Sequence, residues 1–156
     1  MTVECWCIGK TAEPYLQEGT QVYIKRLRRY VPFQWIEHPD VRPHISDPLA
    51  LKRAEGLYIL DKLKPDDYLV LLDENGREFT SAELASWLQK KMNASPRRLV
   101  FLIGGAFGFS PDLYARAQEQ WSLSKLTFSH QMIRLFAAEQ LYRAMTILNN
   151  EPYHNG

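Results

Sequence analysis

Leu99-Val100-Phe101-Leu102-Ile103-Gly104-Gly105-Ala106-Phe107-Gly108 runs five apolar residues straight into a glycine-rich turn. A strand with no polar alternation has both faces buried, as in parallel sheets flanked by helices. Tyr68 to Leu72 repeats the pattern and is ended by Asp73-Glu74-Asn75-Gly76, a turn-forming segment. Val3 to Ile8 reads as a first strand and Trp121 to Leu123 as a brief last one. Val31 to Glu37 reads as another, with Pro32 tolerable at an edge or strand end. Helical spacing fills the intervals. One helix is expected from about Glu13 to Tyr30, with Tyr15, Leu16, Val22, Tyr23 and Leu27 on one side. A second follows Ser46 or Asp47 as cap, with Pro48 in its first turn, and runs to about Leu63. The loop before it, His38 to Ser46, contains Pro39 and Pro43. Thr80-Ser81-Ala82-Glu83 has capping-box spacing and opens a third helix to about Met92, and Ser110-Pro111 starts a short fourth. The last, from His130 to about Leu148, is apolar nearly all round. It requires cover on more than one side, from a subunit interface or from a central place in the domain. The alternation predicts an α/β domain, a mostly parallel sheet with helices on both faces.

A chain of 156 residues suits one compact domain, residues 1–156, and no repeat or linker divides it. Hydrophobic residues at 46% and charged residues at 24% argue against a long disordered region. The apolar runs are too short to cross a bilayer, and Glu4 interrupts the place of a signal peptide's apolar stretch. The expected location is therefore the cytoplasm, with no membrane partner. Cys5 and Cys7 lie two apart on a strand and share a face, which suits buried small hydrophobes. The net charge is only +1, from 19 basic and 18 acidic side chains. That counts against a domain gripping bare RNA by itself and leaves room for one that meets a large, preorganised assembly.

Several motifs stop short of a function. Gly104 to Gly108 follows a strand, but Ala106 and Phe109 occupy the second and third glycine places of a dinucleotide fingerprint. A tight turn and a close backbone approach to a ligand both remain open readings of that loop. Ser122-Leu123-Ser124-Lys125 has the S-x-x-K spacing of serine acyl enzymes without their companion motifs. Ser110, before Pro111, is better explained as a helix cap than as a nucleophile. His38, His44, His130 and His154 show no metal-ligand spacing, so no metal site is expected. Lys25, Arg26, Arg28 and Arg29 crowd one helix end, as a solvated face favouring the helix dipole or as a contact for RNA phosphate.

The chain as a whole resembles the ribosomal RNA large-subunit methyltransferase H family of the SPOUT superfamily. The resemblance rests on Leu71 to Gly76, Ile103 to Ser110, Trp121 to His130, Glu139-Gln140-Leu141-Tyr142-Arg143-Ala144 and the ending Asn150-Glu151-Pro152-Tyr153-His154. Tyr23-x-Lys25-Arg26-Leu27-x-x-Tyr30 and Lys52-x-x-Glu55-Gly56 extend it upstream. It implies a single-domain SPOUT fold with a C-terminal trefoil knot, a homodimer, and no metal. It further implies S-adenosylmethionine as methyl donor, bound by Leu72, Gly104 and the run Leu123, Ser124, Lys125, Leu126, Thr127 and Phe128. The implied target is N3 of a pseudouridine in 23S ribosomal RNA on the assembled ribosome, met by Tyr153 and His154. A SPOUT enzyme acting on transfer RNA or another RNA, and a noncatalytic ribosome-binding factor, are the alternatives. Arg143 is left between pairing across the dimer and holding a phosphate. Two departures stand out. Asn155 follows the tail histidine where the family often has a basic residue, and Ala106-Phe107 replace an acidic position in the glycine loop.

Overall fold

A computed structural model describes residues 1–41 and 46–156. Pro43 and His44 of the expected loop lie outside the described residues. In chain order the elements are β1 (Thr2–Ile8), α1 (Pro14–Leu27), β2 (Phe33–His38), α2 (Pro48–Lys62) and β3 (Tyr68–Glu78). Then come α3 (Ser81–Ala94), β4 (Arg98–Ile103), α4 (Pro111–Arg116), β5 (Glu119–Ser122) and α5 (Met132–Leu148). The five strands form one parallel sheet in the order β2-β1-β4-β3-β5. As the apolar runs predict, β4 is buried on both sides. Leu99, Phe101 and Ile103 join the core under α1, α3 and α5, while Val100 and Leu102 join a second core with Ile59 of α2 and Leu113 of α4. Cys5 and Cys7 share the first core as free thiols.

Local signals decide most helix starts. Thr80 Oγ1 accepts from Glu83 N at 3.1 Å while Glu83 Oε1 accepts from Thr80 N at 2.8 Å, the reciprocal pair the spacing predicts. Asp47, rather than Ser46, caps α2, accepting from Ala50 N at 3.2 Å, and Ser110 caps α4. Three expectations need correction. The first helix ends at Leu27, and Tyr15 and Val22 do not share its buried face: they are 62% and 45% exposed, whereas Leu16, Thr20, Ile24 and Leu27 are buried. The last helix starts at Met132 rather than His130, because the Ser129 hydroxyl accepts from Met132 N and sets the first turn. Asp73 to Gly76 does not end β3. The strand bulges there and resumes pairing with β5 at Arg77 opposite Trp121. Gly76 permits this close return, since a Cβ there would lie 2.6 Å from the Gln120 carbonyl carbon.

Of the two covers open to the last helix, the fold supplies the central one. Helix α5 lies against both α1 and α3. Its anchor is a residue that apolar patterning passes over. Arg134 is fully buried; Nη1 donates to Gly9 O at 2.9 Å and Thr11 Oγ1 at 3.0 Å, and Nη2 to Ile8 O at 2.9 Å. Glu37 lies 3.9 Å away as counter-charge. The guanidinium thus ties the start of α5 to the carboxyl end of β1. Replacing Arg134 with Met leaves buried carbonyls without donors and Glu37 without its cation, so a loss of about 3 kcal/mol is expected in urea unfolding. A loss below about 0.5 kcal/mol, the scale of a plain surface change, would show that the network does not anchor α5.

Candidate active site

The carboxyl ends of β3, β4 and β5 open into a cleft of about 610 Å³. Parallel sheets place ligands at this end, and the volume falls within the roughly 300–1,000 Å³ of small-molecule sites. Three segments build it. The β3 bulge, Asp73 to Asn75, forms one lip. The loop from Leu123 to His130 forms the other, and Gly104 to Phe109 forms the floor between them. The lips touch where Thr127 Oγ1 donates to Glu74 Oε2 at 3.3 Å.

Serines shape the second lip. Ser122 Oγ donates to Ser124 O at 2.9 Å, and Ser124 Oγ accepts from Leu126 N at 3.0 Å. Each hydroxyl ties down a backbone group two residues along, which holds an irregular segment without helix or strand. Phe128 packs on Phe136 of α5, ring centroids 5.2 Å apart. Leu126, by contrast, is 73% exposed at the rim.

The floor depends on Gly104, where an added Cβ would stand 2.9 Å from the Phe109 ring. Behind Gly105 lies Glu55 of α2, a buried carboxyl that burial and the nearby Asp40 push up to about 7. Tyr114, on the rim, is pushed up to about 12 by burial and the nearby carboxylates of Asp73 and Glu74.

Of the residues that the resemblance implies for the methyl donor, Leu72, Gly104, Leu123, Ser124, Leu126, Thr127 and Phe128 line this one cleft. Lys125 is exposed and does not line it. Sequence reading missed Asp73, Glu74 and Asn75 as lining residues, because it took them for a turn closing the strand. Lys52, named only as a family-like position, lines the cleft too. Among the described residues no group of His, Cys, Asp and Glu side chains is placed to hold a metal ion.

Tyr153 and His154 are elsewhere. They pack on the far part of α5, where Tyr153 OH donates to Glu139 Oε1 at 2.9 Å and Arg143 Nη1 lies 3.1 Å from His154 Nδ1. Arg143 pairs within its own chain, with Glu139 and His154. The C-terminal end of α1 adjoins this tail. Tyr30 OH donates to Glu151 at 2.7 Å, and Arg26 lies over the rings of Tyr23 and Tyr142. Ile133, at the start of α5, lines the cleft; ten residues of helix from there to Arg143 span about 15 Å. The cleft and the Tyr153–His154 tail therefore lie apart in this chain.

A family profile described as "Predicted SPOUT methyltransferase" matches residues 1–154. The chain belongs to the SPOUT methyltransferase family. Its similarity to curated proteins is near full-length. A protein of Cytophaga hutchinsonii is 50% identical over 155 residues, covering 99% of this chain and 100% of that protein. One of Parabacteroides distasonis is 53% identical over 150 residues, 95% of each chain, and one of Christiangramia forsetii is 47% identical over 156 residues, 99% of each. Each of the three is called ribosomal RNA large subunit methyltransferase H. The SPOUT chain is thus a methyltransferase, and its parallel sheet with helices on both faces agrees with the fold expected from sequence.

Proposed function

We propose that the protein methylates N3 of a pseudouridine in 23S ribosomal RNA on the assembled ribosome, using S-adenosylmethionine, as a cytoplasmic homodimer whose C-terminal segment is threaded as a trefoil knot. The observation that carries this reading is the convergence of Leu72, Gly104, Leu123, Ser124, Leu126, Thr127 and Phe128 on one cleft at the sheet's carboxyl end. Bound there, the donor supplies a methyl group on a sulfonium; the group passes to N3, the N3 proton leaves to solvent water, and the C–S bonding pair stays on sulfur. The residues present fit such a molecule. Leu72, Leu123 and Leu126 offer apolar walls, and Gly104 and Gly105 bring backbone without side chains to the lining of the cleft. The near-neutral charge favours local contacts to an assembled particle over a grip on free RNA. No helix among the described residues is long and apolar enough to cross a membrane.

A second copy of the chain accounts for the separation of cleft and tail. Transfer needs donor carbon and acceptor nitrogen held within about 3–3.5 Å, and the two sites of one protomer are too far apart for both to meet one base. Tyr15 and Val22 on α1, with Met132 and Phe136 on the adjoining α5, expose apolar surface that a partner subunit would cover. The partner's tail then brings Tyr153 to stack on the unpaired target base. Exposed Lys25 and Arg29, beside the tail, are placed for phosphate contact.

Incubation with labelled S-adenosylmethionine and ribosomes lacking the modification tests the assignment. Label is expected on one pseudouridine of the large-subunit RNA, and far less on free ribosomal RNA. Preferential labelling of transfer RNA would move the enzyme to another substrate. Donor binding with no transfer to any RNA would leave a noncatalytic ribosome-binding factor. Dimers mixing a cleft-defective and a tail-defective subunit should regain transfer, because one of their two composite sites is intact. Mixed dimers as inactive as both parents would rule out a site shared between subunits.

A further inference from the structure

Hydrogen bonds join Glu139, Arg143, Tyr153 and His154 along the second half of α5. Arg143 Nε and Nη2 donate to Glu139 Oε1 at 3.1 and 2.6 Å, and the same oxygen accepts from Tyr153 OH at 2.9 Å. The guanidinium also lies 4.8 Å from the centroid of the Tyr153 ring. Its remaining arm, Nη1, faces His154 Nδ1 at 3.1 Å. A guanidinium carries five donors and no acceptor, and it stays charged at any working pH. The ring nitrogen opposite it must therefore present a lone pair. Turning the ring over would set a carbon against Nη1 and forfeit the bond. With Nδ1 as acceptor, the imidazole proton resides on Nε2.

We infer that Arg143 is a positioning residue that fixes the tautomer of His154, so that His154 meets the target ring as an Nε2–H donor to a carbonyl oxygen and not as the base that removes the N3 proton. This inference rests on the proposed meeting of the tail with the target base. The chemistry suits a donor. As N3 gives its proton to solvent water, negative charge spreads onto the two ring oxygens beside it. A fixed donor aimed at one of them stabilises that anion where its charge develops. Tyr153 does not supply the missing base either. Burial, the nearby Tyr23 and the hydrogen bond to Glu139 push its phenol well above the ordinary range, and its hydroxyl is committed to Glu139. Its ring, half-buried and T-shaped against Tyr142, is what remains for stacking. Gly156 passes close over His154 Nε2 and has to swing aside to admit a base.

Long-range proton–nitrogen NMR on the full-length, histidine-labelled protein reads the tautomer directly. The His154 signals are identified by their loss in His154→Gln. The Nε2–H pattern is expected at neutral pH, relaxing to a mixture of tautomers in Arg143→Met. An Nδ1–H pattern, or protons on both nitrogens, would overturn the inference whatever the enzyme's activity. The second measurement is methyl transfer. Glutamine offers an N–H donor but no base, so His154→Gln should stay within about tenfold of the wild-type kcat, while His154→Ala, with no donor, falls by about 100-fold. The acidic limb of the pH profile should have the same midpoint in His154→Gln as in the wild type. Equal loss in the two variants, or an acidic limb abolished by glutamine, would make His154 the base and sink the inference. An alanine variant as active as the wild type would instead remove the tail from the proposed function, leaving the tautomer result untouched.

Discussion

Gly104→Val is expected to weaken S-adenosylmethionine binding by at least about 100-fold, some 2.7 kcal/mol. Gly104 has no room for a side chain on the protein side, where a Cβ would meet the buried Phe109 ring at 2.9 Å. Phe109 is itself pinned edge-on against Tyr114, centroids 5.9 Å apart. A branched residue must push Phe109 outward or rotate the glycine loop into the cleft, and either movement fills space along the floor. Such overpacking also costs about 1–3 kcal/mol of stability. Calorimetry with the methyl donor and thermal unfolding measure the two effects separately. Affinity equal to that of the wild type would show that the floor of this cleft does not meet the donor.

His154→Ala is expected to lower methyl transfer by about 100-fold, the scale of removing one donor from a developing anion, while leaving donor affinity and thermal stability near those of the wild type. The contrast follows from placement. The imidazole is half-buried, does not line the cleft, and has Arg143 as its partner within the chain. Arg143 retains both of its bonds to Glu139 when the ring is gone, so no buried charge is stranded. The variant therefore separates chemistry from fold, which Gly104→Val does not. A fall in donor affinity that matches the fall in transfer would place His154 at the donor site and contradict its position on the tail.

The strands were the most legible part of the chain, since two-faced burial leaves an unbroken apolar run and the glycine turn marks where it ends. Side-chain exposure was less so. Tyr15 and Val22 fit the apolar side of a helix by hydropathy, yet helical geometry aims them away from the sheet while Thr20, a polar residue, goes inward. The bulge at Asp73 to Gly76 was read as a turn because turn-forming residues suit both structures. Only the return of Arg77 to its place beside Trp121 distinguishes them. Arg134 stood unnoticed within an apolar run, because two of its partners are main-chain carbonyls of β1 and the segment after it, and a carbonyl leaves no mark on sequence.

By itself the sequence determined the α/β class, the caps of α3 and α4, and the family, because these depend on short-range periodicity, local hydrogen bonds and motifs that keep their order along the chain. The tertiary structure decided what stands beside what. It folded the β3 bulge over to touch Thr127, drew seven of the eight implied donor residues around one cleft and left Lys125 outside. It also set Arg143 against His154 at a distance from that cleft. The physical reason is that a hydrogen bond between residues far apart in sequence depends on the packing of whole elements, and α5 must first be seated between α1 and α3 before the cleft beside its first turn and the tail along its second half can form.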